Sequence, residues 1–292
     1  MPSATSSGTP GLLPIRLEWL AVLAGMLVLY VPTFYEAGTT FWQSDEHAHA
    51  PIILAVVLWL AWKQRAAMLD AQGNRRPAAG IAILLFGLLL YVAGRSQDIS
   101  LLEIGSLIPV VAGTLLALRG PQALRAWWFP LLFVAFMLPL PGFFVDALTG
   151  PLKQYISVIV EQVLYTAGYP IARTGVMLTI GQYQMLVADA CSGLNTMFSL
   201  SALGLLFMYL TARTSVLHNV IMLAAILPIA FAANIVRVLV LMLVTYHFGD
   251  EAGQGYLHGA AGVVLLMSAL SVLLTLDALL AWVIRPVKRS RG

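Results

Sequence analysis

Long apolar stretches follow one another along the chain, separated by short polar clusters, and this pattern constrains the fold more than any other feature. A hydrocarbon core about 30 Å thick is crossed by a helix of about 20 mostly apolar residues. The chain has 60% hydrophobic and only 10% charged residues, whereas soluble domains have roughly 25% charged residues. The sequence therefore predicts an all-α integral membrane protein.

The apolar stretches predict a bundle of about eight transmembrane helices. We place them near residues 17–34, 51–62, 79–95, 101–118, 127–147, 191–211, 216–247 and 257–284. Pro130, Pro139 and Pro141 must kink or end the fifth span, and Pro228 predicts a kink in the seventh. The stretches are apolar on both faces and do not alternate in polarity, which excludes a transmembrane β-barrel.

The spans form one predicted domain, residues 16–285, between a loose cytoplasmic tail at 1–15 and a basic cytoplasmic tail at 286–292. Residues 1–15 have neither the basic start nor the small-residue cleavage site of a removable signal peptide. Residues 1–15 are thus expected to be a tail and not a removable signal peptide, and the spans after them are expected to form a single polytopic unit.

Residues 148–190 form the longest segment without a predicted span, because their polarity is mixed. Within this segment, Val176–Ile180 and Tyr183–Val187 flank Gly181-Gln182. Glycine can adopt the positive φ that the first position of a two-residue turn requires. The pattern therefore predicts a short β-hairpin just before the sixth span.

Basic residues fall mostly on one side of the predicted spans. Lys and Arg are retained on the cytoplasmic side of a membrane protein. Of the 16 basic residues, 12 share one side: Arg16, Lys63, Arg65, Arg75, Arg76, Arg119, Arg125, Arg213, Arg285, Lys288, Arg289 and Arg291. Both termini are predicted to face the cytoplasm and residues 148–190 to face outward. Because the basic residues lie at helix ends and not in one patch, we expect no nucleic-acid partner.

The single cysteine, Cys191, lies where the sixth span begins, in the stretch Asp189-Ala190-Cys191-Ser192-Gly193-Leu194-Asn195. One cysteine excludes an internal disulfide and a Cys-rich metal cluster. A helix N-terminus presents unpaired N–H groups and the positive end of the helix dipole, which favour the nucleophilic thiolate. A buried, inert cysteine is the alternative, and position alone does not separate the two.

Two further polar features fall on the same predicted side. Asn234 and Arg237 share one face of the seventh span, where an arginine needs a partner or an aqueous pocket unless it snorkels to the interface. His258 begins the eighth span and can transfer protons near neutral pH, although a solvated histidine is the alternative and His247 is a rival. Cys191 matches a nucleophile, Arg237 a cationic stabiliser of an oxyanion and His258 a proton shuttle.

The stretch Asp45-Glu46-His47-Ala48-His49 lies on the same side, before the second span. Two histidines and two acids could bind a metal, but mixed ligands in a short loop are an unspecific pattern. A loop that contacts solvent or substrate is the preferred interpretation. We therefore predict neither a metal nor a cofactor.

Over residues 15–285 the chain resembles the exosortase family, bacterial membrane-embedded cysteine proteases or transpeptidases related to the archaeosortases. The resemblance rests on Ala190-Cys191-Ser192-Gly193-Leu194-Asn195, on Asn234-Ile235-Val236-Arg237, and on His258 followed by Gly262. Ala48-His49-Ala50 stands where the family usually has Ser-His-Gly, a departure that points to a subtype, the B type.

The resemblance implies roles for these residues. Cys191 would be the nucleophile and Arg237 and His258 its catalytic partners. The supporting or substrate-binding residues would be Asn195, Asn234, Asp189 and His49.

The resemblance also implies substrates with a C-terminal Pro-Glu-Pro-type motif, one transmembrane helix and a basic tail, in systems linked to exopolysaccharide and biofilm production. The enzyme would lie in the inner membrane of a Gram-negative bacterium, with its active site facing the periplasm. The choice between hydrolysis and transpeptidation, the particular substrates and the oligomeric state stay open. A polytopic transporter and a non-catalytic scaffold for polysaccharide export are the competing functions.

Overall fold

The computed structural model describes residues 17–44, 47, 49–70, 74–139, 142–186, 193–249 and 256–283. These residues form twelve α-helices and three short β-strands. The helices are α1 (Leu17–Thr39), α2 (Ala50–Lys63), α3 (Arg65–Asp70), α4 (Pro77–Ser96), α5 (Ser100–Gly105), α6 (Leu107–Leu118), α7 (Pro121–Ala126), α8 (Trp128–Val134), α9 (Gly142–Thr166), α10 (Gly193–Thr211), α11 (Val216–Phe248) and α12 (Tyr256–Val283). The strands are β1 (Ile171–Thr174), β2 (Met177–Ile180) and β3 (Tyr183–Leu186).

Eight apolar helical segments of the described chain correspond to the eight predicted spans. Five are long and apolar enough to cross a membrane: Glu18–Thr39, Pro77–Ser96, Ser100–Leu118, Val216–Phe248 and Leu266–Val283. Three apolar helices are shorter: Ala50–Lys63, Trp128–Met137 and Phe198–Thr211. The prediction of an all-α, multi-pass membrane protein is therefore confirmed. The predicted tails at 1–15 and 286–292 lie outside the described residues.

Helices α4 and α6 pack with their backbones in contact. Gly80, Gly87 and Gly94 recur every seven residues on the buried face of α4. A Cβ added to Gly80 would lie 2.4 Å from the backbone nitrogen of Ala117 on α6. Small residues allow such close approach in membranes, where tight packing and not the hydrophobic effect holds helices together.

The predicted fifth span, 127–147, is shorter in the structure. Its helical segment ends at Met137, and a new helix, α9, begins at Gly142. Pro139 and Pro141 fall between the two helices, and proline ends a helix because it lacks an N–H and restricts the residue before it. α9 was not predicted, because its polar residues lower its hydropathy. Its buried face follows a spacing of four residues: Ile156, Val160 and Leu164.

The predicted hairpin is confirmed, and a third strand joins it. The antiparallel sheet has the order β1-β2-β3, with Ile180 opposite Tyr183 at the turn. Gly181 has a φ of +56°, as expected for the first central residue of a II′ turn. β1 was not predicted, because a strand of four residues is too short to show a clear alternation of apolar and polar side chains. Leu178 and Ile180 pack the sheet against α9 and α11.

Helices α10, α11 and α12 pack against one another as a three-helix unit. Leu200, Ala230 and Ala269, one from each helix, form a buried layer. A second close approach pairs Gly204 with Ile226, where an added Cβ would lie 2.9 Å from the Ile226 side chain. Because the contact moves forward along α10 as it moves back along α11, these two helices run antiparallel.

Candidate functional site

One face of α11 carries two buried polar side chains near its middle. Ala230, Asn234, Arg237 and Leu241 are spaced by four, three and four residues, which places them on the same side of the helix. Asn234 is 2% exposed and Arg237 is 5% exposed. Both residues have interaction partners in the structure. The structure thus buries the predicted arginine within the protein and does not leave its side chain exposed on the surface of the bundle.

Two apolar clusters flank the position of Arg237 along α11. Toward the middle of α11, Ala230 contacts Leu200 of α10 and Ala269 of α12. Toward the C-terminus of α11, Leu241 belongs to the cluster that packs on α9 and the sheet. Arg237 lies between these two apolar clusters along the helix. A charge in such surroundings interacts strongly with any group of opposite charge that reaches it, because little water screens it.

The start of α10 lies at the same level along the bundle as Arg237, and the start of α12 lies further toward the same end. Measured from the layer of Leu200, Ala230 and Ala269, both Arg237 and Gly193 are seven residues away, about 10 Å at 1.5 Å per residue. His258 is eleven residues from Ala269, about 16 Å in the same direction. Gly193, His258 and Arg237 therefore all lie on the same side of this layer. The start of α10, which follows Cys191, and the first turns of α12, which contain His258, are at the same end of the bundle.

The structure describes two of the predicted site residues by their backbone alone and two others not at all. Cys191 and Asp189 lie outside the described residues. Asn195 lies in α10 and His258 in α12, and their side chains are outside the described part of the chain. Their proposed roles stay predictions.

The rival histidine, His247, lies ten residues beyond Arg237 on α11, about 15 Å along the axis. Its Nε2 is 3.3 Å from the hydroxyl of Tyr169. Its ring also contacts the rings of Tyr169 and Tyr246, with centroids 5.9 and 5.1 Å away. These contacts place His247 beside the loop that leads into the sheet, away from the level of Arg237.

His49 immediately precedes α2, and its neighbours connect it to α10. It interacts with the backbone of Phe136, whose ring lies 6.4 Å from that of Phe198 on α10. Burial lowers the pKa of His49 and the nearby His47 lowers it further, while the hydrogen bond with Phe136 acts in the opposite direction. Burial therefore favours the neutral form of the His49 imidazole, which lies close to the first turns of α10.

The metal-binding alternative concerns the stretch Asp45 to His49, of which the structure describes only His47 and His49. No group of three His, Cys, Asp or Glu side chains converges within the described chain. Asp45 and Glu46, which the alternative needs, lie outside it.

The sequence analysis did not predict two buried polar clusters that the structure contains. At the end of the bundle shared with His49, Glu103 accepts a hydrogen bond from Thr33 at 2.6 Å, and Arg95 lies 3.3 Å away. At the opposite end, Asp277 lies 2.8 Å from the Nε2 of His218. An acidic residue inside an apolar span is the signal that could have revealed Asp277.

The helix count, the buried intramembrane arginine and the sheet beside it define a polytopic membrane protein with a polar site near one end. The family profile of transmembrane exosortases matches residues 41–275, a range that contains Cys191, Arg237 and His258. The chain belongs to the transmembrane exosortase family, as the sequence motifs predicted. No curated protein and no solved structure matches the chain. Its assignment to the B type stays a prediction.

Proposed function

We propose that this exosortase is a membrane-embedded cysteine protease or transpeptidase that cleaves C-terminal sorting signals of exported proteins. Exosortases are known as a family of cysteine proteases and transpeptidases. The observation that carries the proposal is the burial of Arg237 at the level where α10 begins, displaced toward the end of the bundle at which α12 also begins. A buried, permanently charged donor at the level where the helix after Cys191 begins suits stabilisation of the oxyanion that forms in acyl transfer to a thiol.

In the proposed reaction, the Cys191 thiolate attacks the carbonyl carbon of the scissile peptide bond, and the carbonyl electron pair moves onto the oxygen. Arg237 donates N–H groups to that oxyanion. The tetrahedral intermediate collapses when the C–N bond breaks, and His258 gives a proton to the leaving amine. A thioester remains on Cys191. Water resolves it in hydrolysis, and an amine resolves it in transpeptidation.

Arginine suits this role better than lysine would. Its guanidinium stays charged at any physiological pH and holds its donors in a rigid planar fork. Its burial limits screening by water, so the charge that develops on the oxygen is stabilised strongly.

The proposed substrates carry a Pro-Glu-Pro-type motif, one transmembrane helix and a basic tail. β3 is an edge strand of the sheet, and the chain runs from it through residues 187–192 to α10. An extended motif can add to such an edge through main-chain hydrogen bonds. This arrangement supports binding of the motif next to Cys191.

The proposed location is the inner membrane of a Gram-negative bacterium, with both termini in the cytoplasm and the site facing the periplasm. Lys63, Arg65 and Arg119 lie at helix ends opposite to the end where α10 and α12 begin. The positive-inside rule supports this orientation.

The test is processing of a tagged substrate in cells that carry Cys191→Ala, with Ser201→Ala on the same helix as the matched control. We expect loss of cleavage in Cys191→Ala and normal cleavage in Ser201→Ala, at equal protein levels. Normal processing by Cys191→Ala would exclude the cysteine mechanism. Solute flux that survives this substitution would favour a transporter, and full biological activity of Cys191→Ser would favour a scaffold.

A further inference from the structure

Helix α1 is fixed to the bundle near both of its ends, and an apolar groove lies between the two contacts. Near its C-terminus, Thr33 donates a hydrogen bond to Glu103. Near its N-terminus, Trp19 packs against a cluster that contains Met68 and Leu115. The groove between α1, α2, α6 and α8 has a volume of about 570 Å³ and an almost wholly apolar lining, which is within the roughly 300–1,000 Å³ of typical ligand pockets.

The end of the groove near Trp19 is basic and aromatic. Arg65 lines the groove and stacks on Trp62, with its guanidinium carbon 3.9 Å from the ring centroid. Arg119 lies over the ring of Trp19 at 5.8 Å and donates one hydrogen bond to the carbonyl of Leu69 at 2.7 Å. A guanidinium has five N–H donors, so these contacts hold both cations in place without using up their donors.

A third donor lies in the same cluster. Trp127 lines the groove and packs with Trp19 and Met68. Its Nε1 is buried, and no acceptor reaches it within the described part of the chain. A buried indole N–H usually has a hydrogen-bond partner, so this site is suited to a ligand that brings an oxygen acceptor.

We propose that the groove binds one acyl chain of an anionic phospholipid, whose phosphate contacts Arg65 and Arg119. An ester oxygen of the lipid accepts the hydrogen bond of Trp127. From Trp19 to Phe34 the groove follows fifteen residues of α1, about 22 Å. One leaflet of the bilayer contributes about 15 Å of hydrocarbon, half of the roughly 30 Å core. The groove is therefore long enough to hold an acyl chain that spans the hydrocarbon of one leaflet.

The charge of the groove end selects this ligand over a helix of a sorting-signal substrate. Such a helix is followed by a basic tail, which Arg65 and Arg119 would repel if the helix lay in this groove. A phosphate is attracted by the same two residues and can be bound by a guanidinium through two parallel hydrogen bonds. Basic pockets between transmembrane helices bind anionic lipid headgroups in this way.

The test is a titration of the full-length protein in uncharged detergent, followed by native mass spectrometry and thermal denaturation. The two probes are phosphatidylglycerol and phosphatidylcholine with identical acyl chains. We expect one phosphatidylglycerol to bind preferentially and to raise the Tm. Arg65→Gln and Arg119→Gln should each weaken that binding about 5-fold, since a basic residue near a lipid surface contributes about 1 kcal/mol.

Matched controls are Arg75→Gln and Arg125→Gln, which remove exposed charges at the same end without touching the groove. They should bind phosphatidylglycerol like the wild type. Leu27→Trp fills the groove from its half-exposed rim and should abolish binding while leaving both arginines in place.

Three results would overturn the proposal. Equal binding of the two lipids would show that the headgroup is not recognised, and an equal Tm shift from inorganic phosphate would show that no acyl chain is needed. Lipid binding that appears only after deletion of residues 1–14 would identify that segment as the occupant of the groove.

Discussion

The carboxylate of Asp277 on α12 lies 2.8 Å from the Nε2 of His218 on α11, and both side chains are buried. Arg213, which precedes α11, donates to the other carboxylate oxygen at 2.7 Å. The three residues tie the connection between α10 and α11 to α12, at the end of the three-helix unit opposite to Arg237.

Asp277→Ala should therefore destabilise the protein. The substitution leaves His218 buried without this acceptor, and such a loss costs about 1–3 kcal/mol. The free energy of unfolding, measured by steric trapping or by thermal denaturation in detergent, should fall by that amount. The half-exposed pair Arg173–Glu161, 2.8 Å apart, provides the control, because Glu161→Gln should cost less than about 1 kcal/mol. Equal effects of the two substitutions would contradict the structural role of Asp277.

Gly80→Ala should also destabilise the protein, because its new Cβ would meet the backbone of Ala117 at 2.4 Å. Overpacking of this kind costs about 1–3 kcal/mol, since a backbone atom cannot rotate away. Gly25→Ala on α1 is the matched control, because an added Cβ there has nothing within 4 Å. Thermal denaturation should separate the two variants. If Gly80→Ala unfolded at the same temperature as Gly25→Ala, α4 and α6 would not be in backbone contact.

Arg237→Lys should lower cleavage of a sorting-signal substrate about 10²–10³-fold, the usual effect of removing one oxyanion donor. Lysine keeps the charge but loses the planar fork. The variant should still accumulate in the membrane. His258→Ala should also lose activity, whereas His247→Ala, which alters a contact with Tyr169 about 15 Å along α11, should keep it. Loss of activity in His247→Ala alone would reverse the assignment of the two histidines.

Stability should fall as the pH decreases below about 6.5, because burial lowers the pKa of His49 from its usual value of 6.5. The unfolded chain then binds a proton at a higher pH than the folded chain, so the free energy of unfolding rises with pH in this window. Above 6.5 this contribution is fully present. Thermal denaturation from pH 8 to pH 5 should show a smaller pH dependence in His49→Gln than in the wild type.

Gln184→Pro should weaken substrate cleavage without removing a hydrogen bond between β2 and β3. Ile180 and Tyr183 flank the two-residue turn as a hydrogen-bonded pair, so the backbone N–H of Gln184 points to the open edge of the sheet. Proline removes that N–H. Gln184→Ala, which retains the N–H, is the control. Equal activity of the two variants, at equal protein levels, would show that no substrate strand pairs with this edge.

Hydropathy located the spans because it measures the cost of placing each residue in lipid. Hydropathy missed α9, whose buried face of Ile156, Val160 and Leu164 is interrupted by polar residues, because the protein itself and not lipid covers that face. The break between Met137 and Gly142 was foreseeable from Pro139 and Pro141, but the restart of the helix was not.

The candidate site was predictable residue by residue, but its arrangement was not. Sequence spacing placed Asn234 and Arg237 on one face, because both lie on one helix. The level that Arg237 shares with the start of α10 depends on contacts between residues far apart in sequence, such as Leu200 with Ala230. Likewise, no periodicity links Asp277 to His218, which are 59 residues apart. The sequence shows only that an acidic residue in a span needs a partner.

The contact between Asp277 and His218 also bears on how the protein is made. Synthesis proceeds from the N-terminus, so α11 leaves the ribosome before α12. Until α12 has inserted, His218 lacks its carboxylate partner and the layer of Leu200, Ala230 and Ala269 is incomplete. A chain that stalls before Asp277 would therefore carry His218 without this acceptor in an unfinished bundle, which is the kind of state that membrane quality-control proteases remove.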